Sequence, residues 1–216
     1  MQRKLHAICC VFGIILLIAD SIEAQSVLGK GPELAGSRGG TQSQKLVAAA
    51  RWQVGKTLTY DPAYVGLEYP GGDLPIEKGV CTDVVIRALR KGCGIDLQKV
   101  VHEDMLKHFS KYPKNWGLKR TDKSIDHRRV PNLKRYFKRQ GWSMPVTDKA
   151  ADYQPGDLVT CTVAGRLPHI MIVSDKRGTD GRLMVIHNIG SGAREESSLF
   201  EYPLTGHYRV GALRSD

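Results

Sequence analysis

Apolar positions along the chain fall into two regimes. From residue 41 to about residue 140 they recur at three- and four-residue spacing, and beyond Gly141 they come in short β-rich runs separated by turn residues. Leu46, Val47, Ala50 and Val54 predict a first helix, with Thr41 or Ser43 capping its start and Gly55 closing it. Val84, Val85, Ala88 and Leu89 make one apolar face of a second helix over residues 81–91, which Gly92 is expected to stop. Asp96 caps a third, built on Leu97, Val100, Val101, Met105 and Leu106, and Pro131 opens a fourth that carries Leu133, Tyr136 and Phe137. Residues 56–80 interleave Tyr60, Tyr64 and Tyr69 with prolines and glycines and read as an ordered loop. Strands are expected at residues 158–163, 169–174, 183–189 and 208–213, with Gly178 and Gly181 in a hairpin connection over residues 175–182. Helices followed by an antiparallel sheet define an α+β domain.

The first 40 residues follow a different pattern. Arg3 and Lys4 precede an apolar stretch over residues 7–19 that is short for a membrane span, and the small Ala24 stands at a plausible cleavage point. Residues 1–24 therefore read as a signal peptide, residues 25–40 as a Gly- and Ser-rich flexible leader, and residues 41–216 as one domain. A periplasmic or secreted location follows, with no transmembrane span expected in the mature chain. Cleavage removes two basic and two acidic residues, so the formal charge of +10 belongs to the domain. That charge favours anionic surroundings. Nucleic acid is not the expected partner, because the aromatics cluster with proline and glycine instead of alternating with Lys and Arg.

Cys81, Cys93 and Cys161 survive cleavage, and an odd count in an oxidising compartment leaves one thiol to explain. Cys93 and Cys161 could pair, which would leave Cys81. A thiol in the first turn of a helix sees the positive end of the helix dipole, which favours the nucleophilic thiolate. His169, at a strand start, is the candidate base, and His187 or its neighbour Asn188 on the next strand is the candidate third group. Backbone N–H groups at the helix start, with a tyrosine from the 60–69 loop, could hold an oxyanion. Zinc held by Cys81, His169 and His187 competes with this reading, but no close Cys or His pair supports a metal site, and no cofactor is expected. Asp126, His127, Arg128 and Arg129 form a dense polar cluster before the fourth helix, either a solvated turn or a clamp for a carboxylate or phosphate.

Gly79 to Val85 (Gly-Val-Cys-Thr-Asp-Val-Val), Pro155 to Val159 (Pro-Gly-Asp-Leu-Val), His169 to Val173 (His-Ile-Met-Ile-Val) and Val185 to Asn188 (Val-Ile-His-Asn) stand in the order of the NlpC-type papain-like cysteine peptidases and amidases, which the chain resembles. That resemblance implies a papain-like fold, a cysteine hydrolase acting on cell-wall peptide amide bonds, Cys81, His169 and His187 as catalytic residues, and His187 in preference to Asn188 as the third. The sequence departs from the NlpC pattern in Val80 before the cysteine, Thr82 after it, and the long insertion over residues 97–140. The stretch from Tyr60 to Leu213 also resembles the YijF-like bacterial family of unknown function, through Tyr69 to Asp73 (Tyr-Pro-Gly-Gly-Asp), the segment around Cys81 and residues 126–133. The candidate substrate-binding set is Tyr69, Asp73, His127, Arg128 and Arg129. Two further readings keep the same fold: a non-catalytic envelope-binding module that holds an anionic ligand with Arg128 and Arg129, and an acyltransferase using the same thioester.

Overall fold

A computed structural model describes residues 40–211. The expected signal peptide over residues 1–24 and the expected leader over residues 25–40 lie, up to residue 39, outside the described residues. Four helices precede most of the sheet: α1 (Gln42–Arg51), α2 (Cys81–Cys93), α3 (Leu97–His108) and α4 (Val130–Arg139). Thr41 caps α1 through a capping box: its hydroxyl accepts from the Gln44 N–H, and the Gln44 carboxamide oxygen accepts from the Thr41 N–H. Asp96 caps α3 by accepting from the Gln98 N–H at 3.2 Å. Pro131 sits in the first turn of α4, where its missing N–H has no helical partner to lose.

Gly92 does not stop α2. The helix runs through it to Cys93 and ends at Gly94, whose φ of +68° is the left-handed cap. The physical use of Gly92 is close packing: a Cβ there would lie 2.6 Å from the Lys45 carbonyl oxygen on α1. The first helix likewise ends at Arg51, in a series of turns before Gly55.

The strands are β1 (Thr59–Tyr60), β2 (Lys78–Gly79), β3 (Ser143–Met144), β4 (Leu158–Val163), β5 (Leu167–Arg177), β6 (Leu183–Asn188), β7 (Ala193–Glu196) and β8 (Leu204–Tyr208). The first two form a short parallel pair that closes the tyrosine-rich loop at its base. The other six form an antiparallel sheet in the order β3-β8-β4-β5-β6-β7. The last strand thus ends at Tyr208, where the sequence pattern starts one, and β3 and β7 carry too few alternating apolar residues to be read from the pattern. The fold is α+β.

Alternation along the central strands divides the core. Leu158, Ile170, Ile172, Ile186 and Tyr208 pack with all four helices, whereas Val159, Cys161, Met171, Val173 and Val185 pack on the opposite face with Tyr153 and Leu199. Among the described residues no helix is long and apolar enough to cross a membrane.

Candidate active site

Cys81 is the first residue of α2 and is almost fully buried. Its helix has no side-chain cap at Val80; Asp83 turns back instead and accepts from the Val80 N–H at 2.7 Å. Burial pushes the Cys81 thiol up to about 12, and the neighbouring Asp83 charge adds to this, while the N–H groups of Ile170 and Thr82 act in the other direction by donating to the sulfur. The helix start alone predicts the opposite shift. Desolvation wins here because the thiolate would sit at the edge of the core with little water around it.

Asp83 fixes the helix start to the loops around it. Arg128 donates to it twice, Nε to Oδ1 at 2.9 Å and Nη2 to Oδ2 at 3.0 Å, with both side chains nearly inaccessible. The remaining Arg128 donors reach the carbonyl oxygens of Ala63 and Asp61 at 3.2 and 3.3 Å. Arg128 is therefore engaged within the protein and anchors the tyrosine-rich loop over Cys81.

On the sheet, His169 and His187 come together. The Nε2 of His169 lies 2.8 Å from the Nδ1 of His187, and the Nε2 of His187 lies 2.8 Å from Oε1 of Glu196, with the Ser198 hydroxyl at 3.4 Å. This row fixes the protons. A carboxylate only accepts, so His187 donates from Nε2 and its Nδ1 carries the lone pair; His169 must then donate from Nε2, which leaves its Nδ1 as the basic nitrogen. Burial pushes His169 down to about 3, with His187 adding to the effect, so the ring is neutral at physiological pH. Burial also lowers His187, against the opposing pull of the Glu196 carboxylate.

Asn188 points to the other face from His187, as alternation requires, and donates to the Gly79 carbonyl at 2.9 Å, two residues before Cys81. The β5–β6 ladder ends at Ile172 and Ile186, and beyond that end the N–H of Ile170 donates to the Cys81 sulfur. Cys81 thus meets β5 at the residue next to His169. The side chain of His169 follows the alternation of Met171 and shares a cross-strand position with Cys161, whereas Cys81 belongs to the core on the helix side.

A cleft of about 220 Å³ reaches Cys81, walled by Tyr60, Trp116, Arg128, Arg129 and Pro168. Arg129 lays its guanidinium over the Trp116 ring at 4.2 Å. The other residues of the expected binding set lie elsewhere. Tyr69 packs edge-on against His102, Asp73 shares the single Nε–H of Arg87 between its two carboxylate oxygens, each at 3.0 Å, and His127 is buried, its imidazole pushed down to about 3 by that burial. None of these three lines the Cys81 cleft.

All three described cysteines are unpaired, so Cys93 and Cys161 do not form a disulfide. Cys93 sits at the end of α2 near the Gln42 carbonyl, and Cys161 lies in the core on the opposite face of the sheet. No group of three or more His, Cys, Asp or Glu side chains among the described residues is placed to hold a metal ion. Sequence reasoning missed Trp116 and Glu196, and left open which tyrosine of the 60–69 loop lines the cleft, a place taken by Tyr60. Glu196 ends a strand whose pattern of Ala, Arg, Glu and Glu gives no apolar signal, and only its pairing with β6 brings it to His187.

Residues 47–210 match the family described as a domain of unknown function, DUF1287. The chain is also 57% identical over 164 residues to the uncharacterized protein YijF of Escherichia coli (strain K12), a match that covers 76% of this chain and 80% of that protein. With a helix-borne cysteine, a buried histidine pair and a carboxylate all inside the matched span, the chain belongs to the YijF-like DUF1287 family.

Proposed function

We propose that this protein is an exported cysteine hydrolase that cleaves amide bonds, with cell-wall peptide as its substrate class and a papain-like, NlpC-type arrangement of its site. The observation that carries the reading is the proton-ordered row from Glu196 through His187 to His169, which leaves an unprotonated Nδ1 on a ring one residue along β5 from the Cys81 contact, on the opposite face of the sheet. In this mechanism the Cys81 sulfur attacks the carbonyl carbon as its proton passes to His169 Nδ1, a transfer that requires the start of β5 to turn the His169 ring from the opposite face of the sheet to the Cys81 side when substrate binds. The tetrahedral intermediate collapses, the C–N bond breaks, and the amine leaves with the proton from His169. Water, deprotonated by the same nitrogen, then cleaves the thioester and returns the thiol. Because the resting thiol is held protonated and the resting imidazole neutral, the proton moves during the attack and not before it.

His187 holds His169 in the productive tautomer, and Glu196 stabilises the positive charge that develops on the histidine pair. In this reading the N–H groups at the start of α2 and the hydroxyl of Tyr60, which lines the same cleft, supply the oxyanion donors. An envelope-binding module that used Arg128 and Arg129 is less well supported, since the Arg128 donors are occupied by Asp83 and by loop carbonyls. Turnover of peptidoglycan fragments by the purified domain, followed by mass spectrometry, tests the reading. Cys81→Ala and His169→Ala are expected to abolish product while leaving the fold intact; product formation by Cys81→Ala would refute it. Free carboxylate at the cleaved bond identifies hydrolysis, and a new amide identifies acyl transfer.

A further inference from the structure

A second and larger cleft, about 480 Å³, adjoins the one that reaches Cys81; Pro131 and Pro168 line both. Its wall on α4 carries Lys134, Arg135 and Lys138, side chains that leave the helix opposite the buried Leu133 and Phe137. Among the described residues none of these three cations forms an ion pair, whereas two other arginines at the ends of α4 have carboxylate partners, Arg129 with Asp126 and Arg139 with Asp104. Lys134 is half-buried, and that burial lowers its pKa. An ammonium partly removed from water with no carboxylate beside it is costly, and an anion brought into the cleft would offset that cost.

We infer that the α4 cleft is the binding site for the acidic part of the substrate, a peptide carrying two or more carboxylates that lodge on Lys134, Arg135 and Lys138 while its amide reaches Cys81. The inference rests on the cysteine-hydrolase reading for the direction of the chain, and it adds what the substrate must carry. A peptide is favoured over a phosphate polymer because the two clefts share Pro131 and Pro168 as walls and one of them reaches a group suited to attack a carbonyl. Two flexible lysines and one arginine around an open cleft suit carboxylates spread along a chain better than one fixed dianion.

Binding separates this inference from catalysis. Fluorescence polarisation with Cys81→Ser protein compares a labelled Gly-Glu-Gly-Glu-Gly peptide with its Gly-Gln-Gly-Gln-Gly counterpart at low salt. The acidic peptide is expected to bind at least tenfold more tightly, with the preference shrinking as salt screens the cleft. The variant K134Q/R135Q/K138Q is expected to lose that preference. The variant K45Q/K107Q/R194Q, which removes the same charge from exposed positions elsewhere, is expected to keep it. Single substitution Lys134→Gln, expected to lower acidic-peptide affinity about threefold, guards against misfolding of the triple variant. Equal binding of the two peptides, or an acidic preference that survives the triple substitution, overturns the inference, and so does competition by polyphosphate but not by unlabelled acidic peptide. Failure of the hydrolase reading would appear instead as absent turnover with the binding preference intact.

Discussion

Cys81 and His169 are both shifted by burial, in directions that keep the resting site uncharged. The thiol is raised from its ordinary 9.0 to about 12, so alkylation by iodoacetamide should be slow at neutral pH and should accelerate between pH 9 and 12, with no plateau near pH 8. Rapid labelling at pH 6 would show that an ion pair forms before substrate arrives. The same shift has a sign for stability. The unfolded chain ionises this thiol near pH 9 and the folded chain only near pH 12, so its contribution is complete below pH 9 and is lost as pH rises toward 12.

His169 and His127 behave in the opposite sense. Both fall from 6.5 to about 3, so the stability tied to their neutral forms is present above pH 6.5 and is lost as pH falls toward 3. Melting temperatures measured from pH 7 to pH 4 should fall steadily. His127→Leu should flatten that fall, because His127 carries a buried Nδ1 without a hydrogen-bond partner and its replacement removes one acid-sensitive group. Glu196→Gln replaces an acceptor-only group by one that also donates; turnover is expected to drop about 10- to 100-fold by loss of the His169 tautomer, with little change in melting temperature.

Between elements, two contacts decide where α2 sits. Gly92 lets α1 and α2 approach until a Cβ would lie 2.6 Å from the Lys45 carbonyl, a backbone atom that cannot swing aside. Gly92→Ala should therefore destabilise the protein by about 1–3 kcal/mol, although alanine is the better helix former, and denaturant unfolding measures it. The buried pair of Asp83 and Arg128 anchors the other end. Asp83→Asn should cost about 3–5 kcal/mol by leaving an unbalanced guanidinium inside, which chemical denaturation would register as a lower midpoint. Much at this scale was legible. The caps at Thr41 and Asp96, the proline start of α4 and the cores of β4, β5 and β6 all follow from residue type and spacing. Gly92 was misread because a glycine that ends a helix and one that admits a neighbouring helix look alike in one dimension. Strands β3 and β7 were missed because edge strands bury too little to need an alternating pattern.

At the scale of the molecule, one sheet serves two cores and divides the candidate residues between them, Cys81 in the helix-side core and the histidine row on the opposite face. Arg51 on α1 ties the helix layer to the sheet through Glu195 on β7, with Nε 3.0 Å from each carboxylate oxygen. The neighbour of Glu195, Glu196, turns to the opposite side and closes the histidine row. Two adjacent glutamates on an edge strand thus carry separate duties, one in the helix layer and one in the candidate site, by alternation alone.

The sequence by itself determined the α+β class, the family, the helix that begins at Cys81 and the two strands that bring in His169 and His187. These are consequences of local spacing, capping and turn chemistry, which act over a few residues. Only the tertiary structure decided that the thiol is raised and not lowered, that Arg128 serves Asp83, that Glu196 stands behind His187, and that a row of unpaired cations opens beside Cys81. Those outcomes depend on burial and on partners that lie 9 to 45 residues apart in the chain, and desolvation is a property of the assembled core that no residue carries alone.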